Sequence, residues 1–213
     1  MSPPQAARGR AAEAREVALW YEPPPDGTAG RVWIPVGGTQ RTLPVSHAFK
    51  SRLLAALLEL EPQPGAWLAV LGADTRSLRP REREALRKRI AFLPASGGLI
   101  SNLNGWENIV LPLGYRDPAG IRGAAPRVYA LIEQLGGDPA RLLGKLPEEM
   151  TLYEKKVAGY VRILLEAPEL VLAEDLAGGL EPDERRRTAG FAPAYHAERR
   201  DGTFVQLEDV PDE

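Results

Sequence analysis

Apolar and polar positions recur along this chain with two periods. Segments that alternate, or that are apolar throughout, read as strands: Val17 to Tyr21, Arg31 to Pro35, Arg41 to Leu43, Ala66 to Leu71, Ile90 to Leu93, Leu170 to Ala173 and Gly202 to Leu207. Segments with apolar residues three and four apart read as helices. Leu53, Leu54, Leu57, Leu58 and Leu60 give a helix from Lys50 to Leu60 a wide apolar face. Pro80 to Lys88 is a charged helix with proline in its first turn. Arg122 to Leu135 is a helix closed by Gly136-Gly137. Tyr153 to Glu166 carries Val157, Tyr160, Val161, Leu164 and Leu165 at helical spacing. Residues 22–30, 72–74 and 94–105 read as loops or turns, and Trp106 to Leu113 is apolar on one side. Residues 1–15 read as a flexible tail and 16–213 as one domain. Strands and helices alternate, so the expectation is an α/β fold with a mostly parallel core sheet.

Composition narrows the function classes. The chain has 213 residues, 44% hydrophobic and 26% charged, which suits one sizeable buried core. A net charge of −2 argues against nucleic acid as a partner, because phosphate backbones need a basic face. Cysteine is absent and only His47 and His196 offer imidazole, so a thiolate metal site is excluded. That usage is compatible with a reducing cytoplasm. No apolar run approaches the ~18–20 residues of a membrane-spanning helix. Arg8, Arg10 and Arg15 are not backed by the apolar stretch of a secretory signal. Direct membrane insertion is not expected, and any membrane link would run through a partner.

Four segments carry chemistry. Pro44-Val45-Ser46-His47-Ala48-Phe49-Lys50-Ser51 lies between a strand and a long helix. It has the lysine and hydroxyl of a phosphate-binding loop, G-x-x-x-x-G-K-S/T, but proline and phenylalanine where that loop has glycine. A phosphate cradle points backbone N–H groups inward, often through positive φ. Proline has no N–H to offer, and Phe49 would push a ring toward the phosphate space. The helix start can still attract an anion. The second segment runs from Ile90 to Leu113 and includes Pro94, Asn104 and Glu107-Asn108, with Asn104 placed as a helix cap. The third is Leu146 to Ala158, where Thr151 and Glu154 have the spacing of a capping box. The fourth is Glu169-Leu170-Val171-Leu172-Ala173-Glu174-Asp175, continuing to Leu180-Glu181-Pro182. An apolar run ending in two acids fits a parallel strand buried on both faces, with a site at its C-terminal end.

In this order, across residues 17–209, the segments resemble the nucleotide-binding domain of ABC transporters. The first resembles the Walker A loop and the second the Q-loop region, with Pro94 at the glutamine's place. The third resembles the signature region, in one of two registers, Leu146 to Glu149 or Met150 to Tyr153. The fourth looks like the "ELLLLDEPTAGLDP" run of Walker B, catalytic glutamate and D-loop. The resemblance implies a P-loop NTPase-like ABC ATPase fold, with an N-terminal antiparallel β part and a helical subdomain at about 95–165. It implies ATP and Mg²⁺ as cofactors, if binding survives. Lys50 and Ser51 would hold phosphate, Ser51 and Glu174 the metal, and Asp175 with Glu174 the catalytic step. Phe49 would border the nucleotide. Trp20 or Tyr21 would stack on adenine, with core packing as the competing role. Each acid of the fourth segment differs from the family's by one methylene. No histidine follows the last strand, where Glu208-Asp209 stands, and His196 reads as a surface residue. The organising expectation is that the lysine and the acids share one rim of the sheet.

The resemblance further implies an integral-membrane permease as partner, met through residues 94–116. A homodimer, or a heterodimer with another cassette, on the cytoplasmic face of the cell membrane would complete the assembly. The Asn102 to Leu113 stretch is most similar to cassettes of the Mla type, which serve phospholipid transport. The implied function is a degenerate ATP-binding subunit. A slow but genuine ATPase and a stand-alone interaction protein are the alternatives.

Overall fold

The computed structural model describes residues 14–24, 31–37, 40–116 and 118–210. The expected tail lies outside these up to residue 13. Its last two positions, Ala14 and Arg15, form a 3₁₀ turn over Ala14–Glu16, with Ala14 buried. The chain divides into two compact units. One comprises Met1–Ala91, Glu169–Val171 and Asp201–Glu213, the other Phe92–Pro168 and Leu172–Arg200.

The first unit opens with β1 (Val17–Glu22), which pairs antiparallel with β2 (Val32–Pro35) and β4 (Trp67–Val70). Val17 to Tyr21 and Trp67 to Val70 are buried throughout, so these strands are covered on both faces, as their unbroken apolar character requires. Trp20 meets Trp67 edge to face at 4.4 Å. The expected turn at 72–74 is corrected. Leu71 (φ 48°) and Gly72 (φ 82°) reverse the chain within two residues, so Ala73–Asp74 folds back as a short strand, β5, on β4.

β3 covers Gln40–Ser46, longer than the three residues read from the pattern. It leads directly into α1 (His47–Glu59). Ser46 caps that helix by accepting the N–H of Phe49. Leu53, Leu57 and Leu60 are buried, but Leu58 is 55% exposed, so the apolar face is narrower than expected. α2 (Pro80–Arg87) follows, with its guanidinium Arg87 donating to the carbonyls of Leu58 and Glu59. β8 (Thr203–Val210) runs parallel to β3 and extends three residues beyond the expected end. The core sheet has the order β3-β8-β7-β6, where β6 is Ile90–Leu93 and β7 is Leu170–Glu174. Arg89 grips Glu169 with two 2.7 Å bonds, tying together the starts of β6 and β7.

The second unit is helical. α3 (Gly105–Arg116), α4 (Ile121–Gln134) and α8 (Phe191–Glu198) pack around α6 (Leu152–Glu166). Tyr160 of α6 stacks on Phe191 at 4.5 Å and donates to its carbonyl at 2.6 Å. Three helices escape the sequence pattern. α5 (Pro139–Leu142) is a single turn, α7 (Pro182–Arg187) has no apolar stripe, and α8 is too short to show a period. Among the described residues no helix is long and apolar enough to cross a membrane.

Candidate functional site

In the first unit, the tract that resembles a phosphate loop is not a loop. Pro44, Val45 and Ser46 continue β3 in register with Glu208, Asp209 and Val210, and His47 is already the first residue of α1. β3 ends the sheet order, and there a proline is tolerated because an edge strand can leave one side of its ladder unpaired. A cleft of about 190 Å³ lies at the junction, lined by Arg31, Val32, Leu43 to Ser46 and Phe49.

Lys50 stands on α1 and is buried. Its ammonium forms an ion pair with Asp209 of β8 at 2.6 Å to one carboxylate oxygen and 2.8 Å to the other. Ser51, next along the helix, is exposed. Tyr21 and Phe49 meet edge to face at 5.6 Å, and both are buried. The ring of Tyr21, expected to stack on adenine or to pack in the core, is covered by the core. Trp20, the other candidate, is buried against Trp67. Phe49 is likewise a buried ring, at the edge of the cleft beside Pro44 to Ser46.

The acids lie in the second unit, at and after the end of β7. Glu174 is half-buried and accepts the backbone N–H of Ala95 at 3.2 Å. Asp175 adopts φ 39°, a left-handed conformation that aspartate accepts more readily than most residues. It opens a tight turn in which the N–H of Gly178 bonds back to its carbonyl. A Cβ at Gly178 would stand 1.7 Å from a carboxylate oxygen of Asp175, so a larger residue there would have to turn that carboxylate aside.

The turn is held by a residue that sequence reasoning passed over. Lys156 of α6 is fully buried and donates to the carbonyls of Asp175 (2.6 Å), Leu176 (3.0 Å) and Gly178 (3.2 Å). Burial pushes its ammonium below the ordinary lysine range, and the negative charges of Asp175 and Glu174 oppose that shift. The signal was present: Lys156 falls on the same helical face as Tyr153, Val157 and Tyr160, where a charge has no solvent.

The loop between β6 and α3 packs tightly on α6. A Cβ at Gly159 would come within 2.1 Å of the Gly97 carbonyl, and Arg162 donates to the Gly98 carbonyl at 2.9 Å. Asn108, fully buried, organises the rest of that loop. It accepts from the Ile100 N–H at 2.7 Å and donates to the carbonyls of Ile100, Leu103 and Asn104. Asn104 and Glu107 exchange reciprocal side-chain-to-backbone bonds at the start of α3. Thr151 and Glu154 do the same on α6. The second register of the third segment therefore is a helix start, while Pro147–Glu149 of the first forms a 3₁₀ turn. His196 is half-buried, not a surface residue, and both ring nitrogens are covered by protein. No cluster of three metal-ligating side chains occurs among the described residues.

Comparison with known proteins agrees with this architecture. No family model matches the sequence. The chain is 35% identical over 141 residues to the lipoprotein-releasing system ATP-binding protein LolD of Maricaulis maris, covering 65% of this chain and 59% of that one. It is 32% identical over 178 residues to the methionine import ATP-binding protein MetN 2 of Burkholderia mallei, covering 83% of this chain and 40% of that one. It therefore spans less than two thirds of the length of either relative. Its fold matches the ATP-binding cassette MJ0796, solved as a dimer in a post-hydrolysis state bound to ADP and Pi. The TM-score is 0.66 over 90% of this chain and 87% of that one, at 16% identity. It also matches cbiO1 of Clostridium perfringens, part of an ABC transporter complex, with a TM-score of 0.67 over 92% of this chain and 79% of that one, at 16% identity. The chain thus has the fold of ATP-binding cassettes, and its sequence is similar to ATP-binding subunits of ABC transporters.

Proposed function

We propose that the chain is a degenerate ATP-binding subunit of an ABC transporter, coupling to a membrane permease, with ATP binding and hydrolysis impaired or lost. The observation that carries this reading is the unbroken passage from β3 to α1, with Lys50 engaged by Asp209. Set against a triphosphate and Mg²⁺, the residues present do not fit. A cradle of backbone N–H groups needs a loop that the strand does not leave. The cation that would meet phosphate already holds a carboxylate. Tyr21 and Phe49 are core rings, and Glu174 is bonded to a backbone N–H. No hydrolytic step is derived from such a site.

The partner-facing part is well ordered by comparison. Asn108 fixes the 99–104 loop, and α3 ends with Tyr115 84% exposed. We assign the permease contact to residues 94–116, place the subunit on the cytoplasmic face of the cell membrane and take Mla-type phospholipid transport as the system it serves. The MJ0796 cassette was solved as a dimer, and pairing with a second copy or with an intact cassette is proposed here.

Calorimetric titration with ATP, with and without Mg²⁺, tests the reading together with phosphate-release assays. The expected result is no binding up to millimolar ATP and no turnover. Turnover that disappears on Lys50→Ala would overturn it in favour of a slow ATPase, a reading favoured by the acid pair that still closes β7.

A further inference from the structure

Lys50 is only 4% exposed, although it carries a charge. A cation this far from water needs a fixed anion beside it, because an unpaired buried charge is strongly destabilising. The chain supplies that anion from a strand 159 residues away in sequence. Asp209 reaches Lys50 because β8 runs on past Leu207, in register with β3, which sets Asp209 opposite Val45. Both carboxylate oxygens lie within 2.8 Å of the ammonium. The carboxylate itself is 46% exposed, so this anion position borders solvent.

We propose that Asp209 is a tethered anion occupying a latent oxyanion site on Lys50, so that the chain excludes nucleotide phosphate by filling its place with its own carboxylate. The proposal rests on reading Lys50 as the phosphate lysine of a cassette. Carboxylates and phosphates offer an ammonium the same kind of partner, charged oxygens that accept strong short hydrogen bonds. An anion attached to the chain competes at a high effective concentration, on the order of millimolar or above, and carries no dissociation step. Removing the carboxylate while keeping Lys50 would leave a buried cation that takes an oxyanion from solution.

Thermal unfolding of the full chain tests this, with tripolyphosphate as probe, inorganic phosphate alongside it and sodium chloride at matched ionic strength as control. The wild-type chain is expected to gain nothing from tripolyphosphate beyond the salt control. Asp209→Ala should show a lowered Tm that recovers by about 3–6 °C when tripolyphosphate is ten times its Kd. Lys50→Met combined with Asp209→Ala should show no anion response. If Asp209→Ala does not fold alone, refolding into tripolyphosphate, followed by circular dichroism, gives the same reading. The proposal is overturned if Asp209→Ala responds no more than wild type, if the double variant responds equally, or if Asp209→Ala stays unfolded with tripolyphosphate present. Lys50-dependent ATP turnover by the wild-type chain would defeat the proposed function. A silent wild type with a silent Asp209→Ala would defeat only the tethered anion.

Discussion

The ammonium of Lys156 lies 2.6 Å from the carbonyl oxygen of Asp175, inside the protein and at the one turn where the acids leave the sheet. It does for that turn what a bound cation could do, gathering three carbonyls around one positive charge. Lys156→Met keeps most of the side chain's bulk and removes the donor. Three carbonyls, that of Leu176 buried and those of Asp175 and Gly178 half-buried, then lose a partner, and the expected destabilisation is about 2–4 kcal/mol. Urea unfolding measures it, and amide exchange over residues 175–179 should speed up first. A loss below about 0.5 kcal/mol would mean that the lysine is a passive passenger of α6.

Asn108 makes a second such test, in the segment assigned to the permease. Asn108→Ala removes four bonds to the 100–104 backbone without adding any clash. Stability should fall by about 2–4 kcal/mol. The loop should become protease-sensitive between residues 99 and 104 while the secondary structure measured by circular dichroism is kept.

Gly159 sets helix propensity against packing. On propensity alone, Gly159→Ala in the middle of α6 would stabilise by roughly 1 kcal/mol. The added Cβ, however, would come within 2.1 Å of the Gly97 carbonyl, a backbone atom that cannot swing aside. Overpacking of this kind costs about 1–3 kcal/mol, so the net effect should be destabilising. A rise in Tm for Gly159→Ala would show that the 94–98 loop yields to α6.

These cases mark what the sequence makes legible. Asn104 with Glu107 and Thr151 with Glu154 are local signals, three residues apart, and the helices they start are where the spacing puts them. The apolar run before Glu174 is likewise self-evident as a buried strand. Pro44 misleads because proline and a nearby lysine suggest a loop. The residue is strand only because Glu208 lies opposite it, and that pairing joins positions 164 apart in the chain. Asp209 could not be recognised as the partner of Lys50 for the same reason: β8 had to be extended, and its register known, before the carboxylate had a place. Their positions in a family pattern suggest nucleotide contacts for Tyr21 and Phe49, whereas both rings are buried and meet each other edge to face. Local rules thus locate the elements, and the chemistry of the candidate site is settled by non-local pairing.

Tyr153 gives an alkaline test of the second unit. It is 3% exposed, and its hydroxyl donates to the Leu135 carbonyl. Burial pushes the phenol up to about 12, opposed by the guanidinium of Arg187 over its ring. In the unfolded chain the phenol ionises near 10. Between these values the unfolded state has released a proton that the folded state keeps, so stability falls as pH rises, by about 2–3 kcal/mol at pH 12. Lys156 works in the opposite sense below its own ordinary range. Its lowered folded value means that the unfolded chain holds the extra proton up to about 10.5, and stability rises with pH there. Urea midpoints above about pH 10.5 therefore lie past the lysine's contribution and report the phenols, with Arg162, which burial lowers, acting in the opposite sense. Tyr160, which burial also pushes well above the usual tyrosine value, contributes to the same decline. Tyr153→Phe should flatten the decline between about pH 10.5 and 12 without abolishing it. An unchanged slope would place the ionising phenol elsewhere.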